Sequence, residues 1–148
     1  MSIVIENMRS EHIDDVISLG LATPEFQTGT PVPQFYSKET LSKWIQSPHG
    51  TLLVANVSKE FAGFSITAYN PDSRDGYMHC MAVNEQYRNQ NIGTEFTNKT
   101  LAELEKMGCN HVYCLIQSSN ERMKKFLEKR GFQIGETFNY VQRTLSRK

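Results

Sequence analysis

The sequence has few cysteines, and their arrangement excludes two kinds of protein. Its 148 residues include only Cys80, Cys109 and Cys114, with no CxxC pair. An odd number of unpaired cysteines indicates reduced thiols and no disulfide framework. Their spacing to His79 and His111 matches no common zinc pattern. We therefore expect no metal and a cytoplasmic location.

An excess of charge and a long apolar run are also lacking. Lysine plus arginine equals aspartate plus glutamate at 16 each, so the formal net charge is zero. General nucleic-acid binders depend on excess positive charge, so we expect no nucleic-acid partner. No apolar run approaches the roughly 18 residues that span a bilayer, and the first residues lack the basic flank and apolar core of a secretion signal. We expect no membrane association.

The composition, 39% hydrophobic and 22% charged, suits one globular domain over residues 1–148. Apolar spacing predicts the order strand, helix; helix, three strands; helix, strand, helix, two strands. The central strand–loop–helix–strand unit implies a right-handed crossover, and the whole order implies a mixed α/β sheet. The predicted strands are "SIVIENM", "TLLVANV", "FAGFSITAY", "YMHCMAV", "HVYCLI" and the two halves of "FQIGETFNYVQRTL".

Capping residues mark the ends of the predicted helices. Ser10, Ser37 and Asn120 are placed to cap three of them, and a fourth runs from Ile92 to Met107 with Gly108 at its C-terminal cap. The strand "HVYCLI" is apolar on both faces, so we expect it inside the sheet and parallel to its neighbour.

The stretch "VNEQYRNQNIGTEF", residues 83–96, runs from a strand through a polar loop into a helix. The first free amides of a helix and its dipole attract anions. Arg88 adds a fixed charge, Thr94 a hydroxyl, and Gly93 and Asn91 suit close backbone approach and a left-handed conformation. Neither GxxxxGK[ST] nor GxGxxG is present, which excludes two common nucleotide fingerprints. The loop alone leaves two interpretations: a phosphate site, or a simple turn with a glycine near the helix start.

Two motifs carry a family resemblance. "MAVNEQYRNQNIGTEFTNKTLAELEKMG" resembles the acetyl-CoA motif of the GNAT superfamily of N-acetyltransferases, an apolar strand followed by [Q/R]-x-x-G-x-[G/A] and a helix. Arg88 opens this motif, Asn91 replaces its first glycine, and Gly93 holds its last small position. "NERMKKFLEKRGF" is similar to the family's N-x-x-A-x-x-[F/L]-Y-x-x-x-G-F. The element order matches the family over nearly the whole chain.

The resemblance implies a GNAT-like fold: a mixed, mostly antiparallel sheet of six to seven strands, about four flanking helices and a splayed parallel strand pair. It implies acetyl-CoA as cofactor, with the pantetheine arm on one strand's backbone and on an asparagine, and the pyrophosphate on the loop amides. The cofactor-binding residues carried over in this way are Met81, Ala82, Val83, Arg88, Asn89, Gln90, Asn91, Ile92, Gly93, Thr94, Asn120 and Phe126.

The implied reaction is direct attack of a neutral primary amine on the thioester, which needs a base and an oxyanion donor near Val83. The family's commonest acid, a tyrosine of the second motif, is replaced here by Leu127. Several relatives place a glutamate base at the position of Tyr77. His79 lies two residues on, on the same face, with a suitable pKa. The candidate catalytic residues are His79 and Tyr77, although packing alone also explains a histidine in a strand.

The acceptor site of this fold usually lies between the first two helices and the last hairpin. That position points to "TPEFQTGTPVPQFY" and to Phe138–Arg143 as its walls. We predict Glu25, Phe26, Tyr36 and Tyr140 as substrate-binding residues; an irregular surface loop is the alternative. The acceptor is a small-molecule amine or a protein amine, and the resemblance also allows a homodimer.

Two other functions stay open on the sequence. Leu127 and the missing glycine at Asn91 suit a non-catalytic acyl-CoA-binding or regulatory module. An unrelated α/β phosphate binder is the third interpretation. The leading one is an acetyl-CoA-dependent N-acetyltransferase, which is a transferase of the acyltransferase class.

Overall fold

A five-stranded mixed sheet organises the computed structural model, which describes residues 2–29 and 35–145. Among these residues, four α-helices and three short 3₁₀ turns connect or flank the strands. The elements are β1 (Ile3–Asn7), a 3₁₀ turn (Ser10–His12), α1 (Ile13–Ala22), a 3₁₀ turn (Pro24–Phe26), α2 (Lys38–Gln46), β2 (Gly50–Val57), β3 (Glu60–Asn70), β4 (Asp75–Val83), a 3₁₀ turn (Glu85–Tyr87), α3 (Ile92–Met107), β5 (His111–Cys114) and α4 (Glu121–Glu128).

The strands follow one another in space as they do in sequence, β1-β2-β3-β4-β5. Three neighbouring pairs are antiparallel, and only β4 and β5 run parallel, joined by α3. Apolar side chains fill both faces of the central strands. One core cluster lies around Phe64 with α1 and α2, and the other lies around Phe96 of α3. Burial on both faces explains why β2 and β3 read as nearly continuous apolar runs.

Several sequence predictions for local structure are confirmed. Ser37 caps α2, because its Oγ accepts from the amide of Thr40. Asn120 caps α4 in the same way, through the amide of Met123. The helix α3 has the predicted bounds and ends at Gly108 with a φ of 96°. Ser10 does not cap α1: it begins the preceding 3₁₀ turn, and Arg9 is that turn's N-cap.

Two strand predictions are wrong. The sheet has five strands rather than six to seven, because residues 133–145 form no regular secondary structure and are exposed. β5 is an edge strand rather than an interior one, and Leu115 beyond it is 65% exposed. The alternation in "FQIGETFNYVQRTL" predicts strands only if a partner edge pairs with them, and an isolated two-stranded hairpin is marginal in water.

The parallel strands β4 and β5 diverge in a V, and the candidate site lies where they separate. β4 pairs with β5 only over Asp75–Met78, whereas β4 continues to Val83 against β3. A β-bulge lies at the point of divergence: Ile66 pairs with Cys80 and Thr67 with Met78, which leaves His79 as the extra residue. The predicted splayed parallel pair is therefore present.

Candidate active site

The loop from Arg88 to Thr94, called here the cradle loop, enters α3 through left-handed backbone. Asn91, the N-cap of α3, has φ 65° and ψ 15°, and Asn89 has φ 66°. Asparagine reaches this region more readily than most residues with a Cβ, so Asn91 takes the conformation for which glycine is usual. The amides of Ile92, Gly93 and Thr94 then begin α3 without a partner inside the helix, at its positive end.

Gly93 lies in the first turn of α3, at its contact with α4. It is not among the residues with positive φ. A Cβ built at Gly93 would lie 3.2 Å from Cζ of Phe126, on α4. The small side chain therefore permits α4 to pack closely against the first turn of α3.

The edge of β4 that faces away from β3 has no partner strand beyond Met78 in the part of the chain that the structure describes. The amide of Asn84 donates to the carbonyl of Ala62, so the backbone of Ala82 also turns towards β3. By the same alternation, Met81 and Val83 direct their N–H and C=O groups into the opening between β4 and β5. Nε of Arg88 donates to the carbonyl of Val83 at 3.1 Å and holds this arginine against the strand end.

On the other side of the cradle loop, Arg130 joins α4 to α3. Its guanidinium lies 3.5 Å from the ring centroid of Phe126, in a cation–π contact. It donates to the carbonyl of Phe126 and to Oγ1 of Thr94. The predicted cofactor residues Phe126 and Thr94 are thus brought together with Gly93. Asn120 uses its Oδ1 as a helix cap, which leaves its Nδ2 free.

His79 lies among aromatic rings. Tyr77, Tyr36 and Trp44 have ring centroids 4.5, 5.5 and 4.9 Å from the imidazole. Oη of Tyr36 lies 2.8 Å from Nδ1 of His79 and is the polar partner of this ring among the described residues. The predicted catalytic pair Tyr77 and His79 is therefore on one face, and the bulge at His79 accommodates both rings.

Burial governs the titration of these groups. It lowers the pKa of His79, because the charged imidazolium loses solvation. It raises the pKa of Tyr36 and of Tyr77, where neighbouring phenols add to the effect. Burial also raises the pKa of the Cys80 thiol. At neutral pH the imidazole therefore stands uncharged beside neutral phenols and a neutral thiol.

A cleft of about 1310 Å³ opens beside His79 in the V between β4 and β5. All the predicted catalytic and substrate-binding residues line it: Glu25, Phe26, Tyr36, Tyr77, His79 and Tyr140. Glu25 and Tyr140 are exposed, whereas Phe26 packs on Phe35 and Phe64. Residues 30–34 of the predicted substrate loop, with Pro31 and Pro33, lie outside the described residues.

Three residues at the site escaped sequence reasoning. Trp44 of α2 covers one side of His79. Gln117 donates from Nε2 to the carbonyl of Gln27 at 2.8 Å and so ties the segment after β5 to the predicted substrate loop. Arg130 joins α3 and α4. No motif marks them, because each contact joins residues far apart in the sequence.

Residues 20–132 match the model of the acetyltransferase (GNAT) family. Because this match covers most of the chain, the chain belongs to that family. No curated protein matches the sequence.

Several solved structures share the fold at low identity. An aminoglycoside acetyltransferase from an uncultured soil metagenomic sample, in complex with trehalose, has a TM-score of 0.76 at 16% identity, covering 97% of both chains. The aminoglycoside acetyltransferase AAC(6')-Iy, in complex with a bisubstrate analogue of CoA, has a TM-score of 0.77 at 15% identity, covering 98% of this chain and 100% of the other. PaiA N-acetyltransferase from Thermoplasma acidophilum, in complex with coenzyme A, has a TM-score of 0.77 at 19% identity, covering 93% and 94%.

Proposed function

We propose that the protein is an acetyl-CoA-dependent N-acetyltransferase that moves an acetyl group to a primary amine by direct attack on the thioester. The observation that carries the proposal is the V between β4 and β5. Pairing stops at Met78, the backbone of Met81 and the N–H of Val83 face away from β3, and the imidazole of His79 lines the cleft. A cofactor arm and an acceptor amine can therefore enter it from opposite sides.

The residues present fit a CoA-type ligand. Asn91 directs three unpartnered α3 amides towards one point, which suits a pyrophosphate, and Arg88 and Arg130 flank it. Met81 offers its N–H and C=O, and Val83 its N–H, to an amide-containing arm, because the Val83 carbonyl already accepts from Arg88. The alternation favours these two over Ala82, whose backbone faces β3. Nδ2 of Asn120 is a further donor at the start of α4. The unpaired edge of β4 connects the proposed phosphate site with the cleft.

Bound acetyl-CoA supplies the acyl group in activated form, as a thioester. The amide of Val83 is a donor of the kind that stabilises negative charge on a carbonyl oxygen. His79 takes the ammonium proton of the acceptor and is suited to this because burial keeps its pKa low and the ring uncharged. Tyr77, whose pKa burial raises, stays protonated and is the proposed proton donor. Leu127, at the family's tyrosine position, is 3% exposed and donates no proton.

Glu25, Phe26, Tyr36 and Tyr140 are the proposed contacts of the acceptor, because they line the cleft on the side of His79. The solved relatives include enzymes whose names specify aminoglycosides. We propose a small-molecule amine as the first acceptor class to test and a protein amine as the second.

The test is acetyl-CoA consumption against a panel that contains sisomicin, a small aromatic amine, a peptide with a free N-terminus and a lysine peptide. We expect turnover with at least one amine. We expect a loss on the order of 100-fold in His79→Ala and a smaller loss in Tyr77→Phe. The matched control is His49→Ala, since His49 is exposed in the turn before β2. Equal loss in the control would contradict the assignment of His79.

A second function, a non-catalytic acyl-CoA-binding module, is favoured by one observation, the buried Leu127 where the family pattern has a tyrosine. Binding of CoA by calorimetry, without turnover across the panel, would support it. If calorimetry detects no CoA binding, the result would instead favour a phosphate binder of another kind.

A further inference from the structure

The contact between Tyr36 and His79 joins residues that are 43 positions apart. Oη of Tyr36 and Nδ1 of His79 are 2.8 Å apart, and the two rings meet edge to face at 88°. Trp44 lies beside both rings, with centroids 4.8 Å from Tyr36 and 4.9 Å from His79. The imidazole is therefore fixed on one nitrogen by a hydroxyl and on its faces by aromatic packing.

We propose that Tyr36 is a positioning residue for His79: its oxygen accepts the Nδ1–H hydrogen bond and so leaves the lone pair of Nε2 free to take the acceptor's proton. This inference rests on the proposed function in one respect only, the use of His79 as base. The tautomer it assigns is a property of the resting protein.

The chemistry of the reacting state supports this direction. When the N–H bond of the acceptor ammonium breaks, a new Nε2–H bond forms, and the imidazolium then carries hydrogen on both nitrogens. Nδ1 must donate in that state, and the Tyr36 oxygen is the acceptor within reach. The proton leaves Nε2 to solvent through the cleft, which restores the base. A bond that is already made in the resting state needs no rearrangement on proton uptake.

No charged group in the described surroundings of His79 accepts the Nδ1–H hydrogen bond of the imidazolium. The titratable groups near its ring are Tyr36 from the segment before α2, Tyr77 and Cys80 from β4, and Tyr113 and Tyr140 next to those phenols. The same cleft is also lined by Glu25, His111, Lys124, Arg130 and Glu136, none of which has a described hydrogen bond, ion pair or ring contact with His79. Desolvation keeps the phenols and the Cys80 thiol neutral. The hydrogen bond to Tyr36, and no ion pair, is therefore the polar contact available to the imidazolium, which burial leaves less stable than in water.

The fold also holds Tyr36 in place. Its neighbour Phe35 packs on Phe64 and against Gly20 of α1, where an added Cβ would lie 2.4 Å from the ring. Trp44 holds the Tyr36 ring from α2. The helix α1 therefore packs on Phe35, and α2 packs on the ring of Tyr36.

The experiment compares Tyr36→Phe, which keeps the ring and removes only the hydroxyl, with the wild-type protein. Nitrogen-15 NMR of histidine-labelled protein, with His79→Ala to assign the signals, reports the tautomer. We expect the Nδ1–H form in the wild-type protein and conversion to the Nε2–H form in Tyr36→Phe. The matched control is Tyr69→Phe, which removes a buried hydroxyl on β3 that does not contact His79 in the described part of the chain. It should leave the His79 signals unchanged.

Kinetics supply the second readout. We expect Tyr36→Phe to lower kcat by about tenfold, to leave KM for acetyl-CoA unchanged, and to move the acidic limb of the kcat/KM profile to lower pH. The acidic limb moves to lower pH because the imidazolium loses the acceptor of its Nδ1–H, which lowers the pKa of His79. A wild-type Nε2–H tautomer, or an acidic limb that stays or moves to higher pH, would overturn the proposal. If no amine is acetylated, the proposed function fails while the NMR result still decides the tautomer.

Discussion

At Asn91 the backbone adopts φ 65° and ψ 15°, and two residues earlier Asn89 adopts φ 66°. The cradle loop therefore reaches glycine-like conformations with asparagine side chains. The loop needs only one glycine, because Asn91 adopts the backbone conformation that the family's first glycine would take. The same observation removes one of the two arguments for a module that has lost its activity.

The conformation of Asn91 makes a direct prediction. Asn91→Gly should retain stability and CoA affinity to within about 1 kcal/mol, because glycine adopts the left-handed region without strain. Asn91→Ala should lose about 1 kcal/mol of stability and weaken CoA binding, because the left-handed backbone conformation is strained for alanine. Urea denaturation and calorimetry with CoA measure the two effects.

Asn98→Ala is the matched control for this pair, because Asn98 is exposed in the interior of the same helix. It should leave CoA affinity unchanged and raise stability by about 0.5 kcal/mol, because alanine is the better helix former. A marked loss of CoA affinity in Asn91→Gly would contradict the interpretation and would assign a role to the asparagine side chain itself.

Among elements, the contact between α3 and α4 depends on Gly93. A Cβ there would lie 3.2 Å from Cζ and 3.3 Å from Cε2 of Phe126. We predict that Gly93→Val moves Phe126 and α4 away from the start of α3, costs about 1–3 kcal/mol of stability and weakens CoA binding. Thermal unfolding and calorimetry check both parts.

The double variant Gly93→Ala/Phe126→Leu tests the cause of that loss. A leucine gives the new methyl group more room, so the double variant should recover part of the stability that Gly93→Ala alone loses. Strictly additive effects would mean that the two residues do not interact. The glycine would then serve the ligand instead of the helix packing.

The helices and strands also show which structural features the sequence patterns predict and which they do not. The caps at Ser37 and Asn120 and the bounds of α3 were predictable, because capping and helical periodicity are local. The predicted position of "HVYCLI" was wrong, because apolar residues on both faces also occur in a strand at a sheet edge beside a cleft. The contacts of Arg130 with Thr94 and of Tyr36 with His79 join distant segments, and no local pattern encodes them.

For the whole molecule, the residues after α4 are the main departure from prediction. Ile134, Phe138, Tyr140 and Val141 are exposed, and β5 presents an unpaired edge in the part of the chain that the structure describes. The alternating pattern of this segment predicted two strands and the structure has none there, because strand pairing depends on tertiary context. Within the described residues, no helix is long and apolar enough to cross a membrane. A homodimer stays a prediction.

The buried titratable groups together predict how the stability of the whole molecule depends on pH. His79 has a folded pKa below its ordinary 6.5, so the unfolded chain binds more protons below that pH and stability falls as pH falls through the folded value. Cys80 has a folded pKa above its ordinary 9.0, so stability falls as pH rises beyond 9. We expect the free energy of unfolding to be greatest between about pH 6.5 and 9.

Urea denaturation across pH, in the wild-type protein, His79→Gln and the exposed-site control His49→Gln, measures the acidic limb and its source. The loss of stability below pH 6.5 should be smaller in His79→Gln, because glutamine has no proton to gain, and unchanged in His49→Gln. The opposite sign, stability rising as the pH falls, would mean that the folded protein stabilises the imidazolium. Protonation of the resting enzyme would then compete with the proposed base, and catalysis would need a higher pH than the burial of His79 implies.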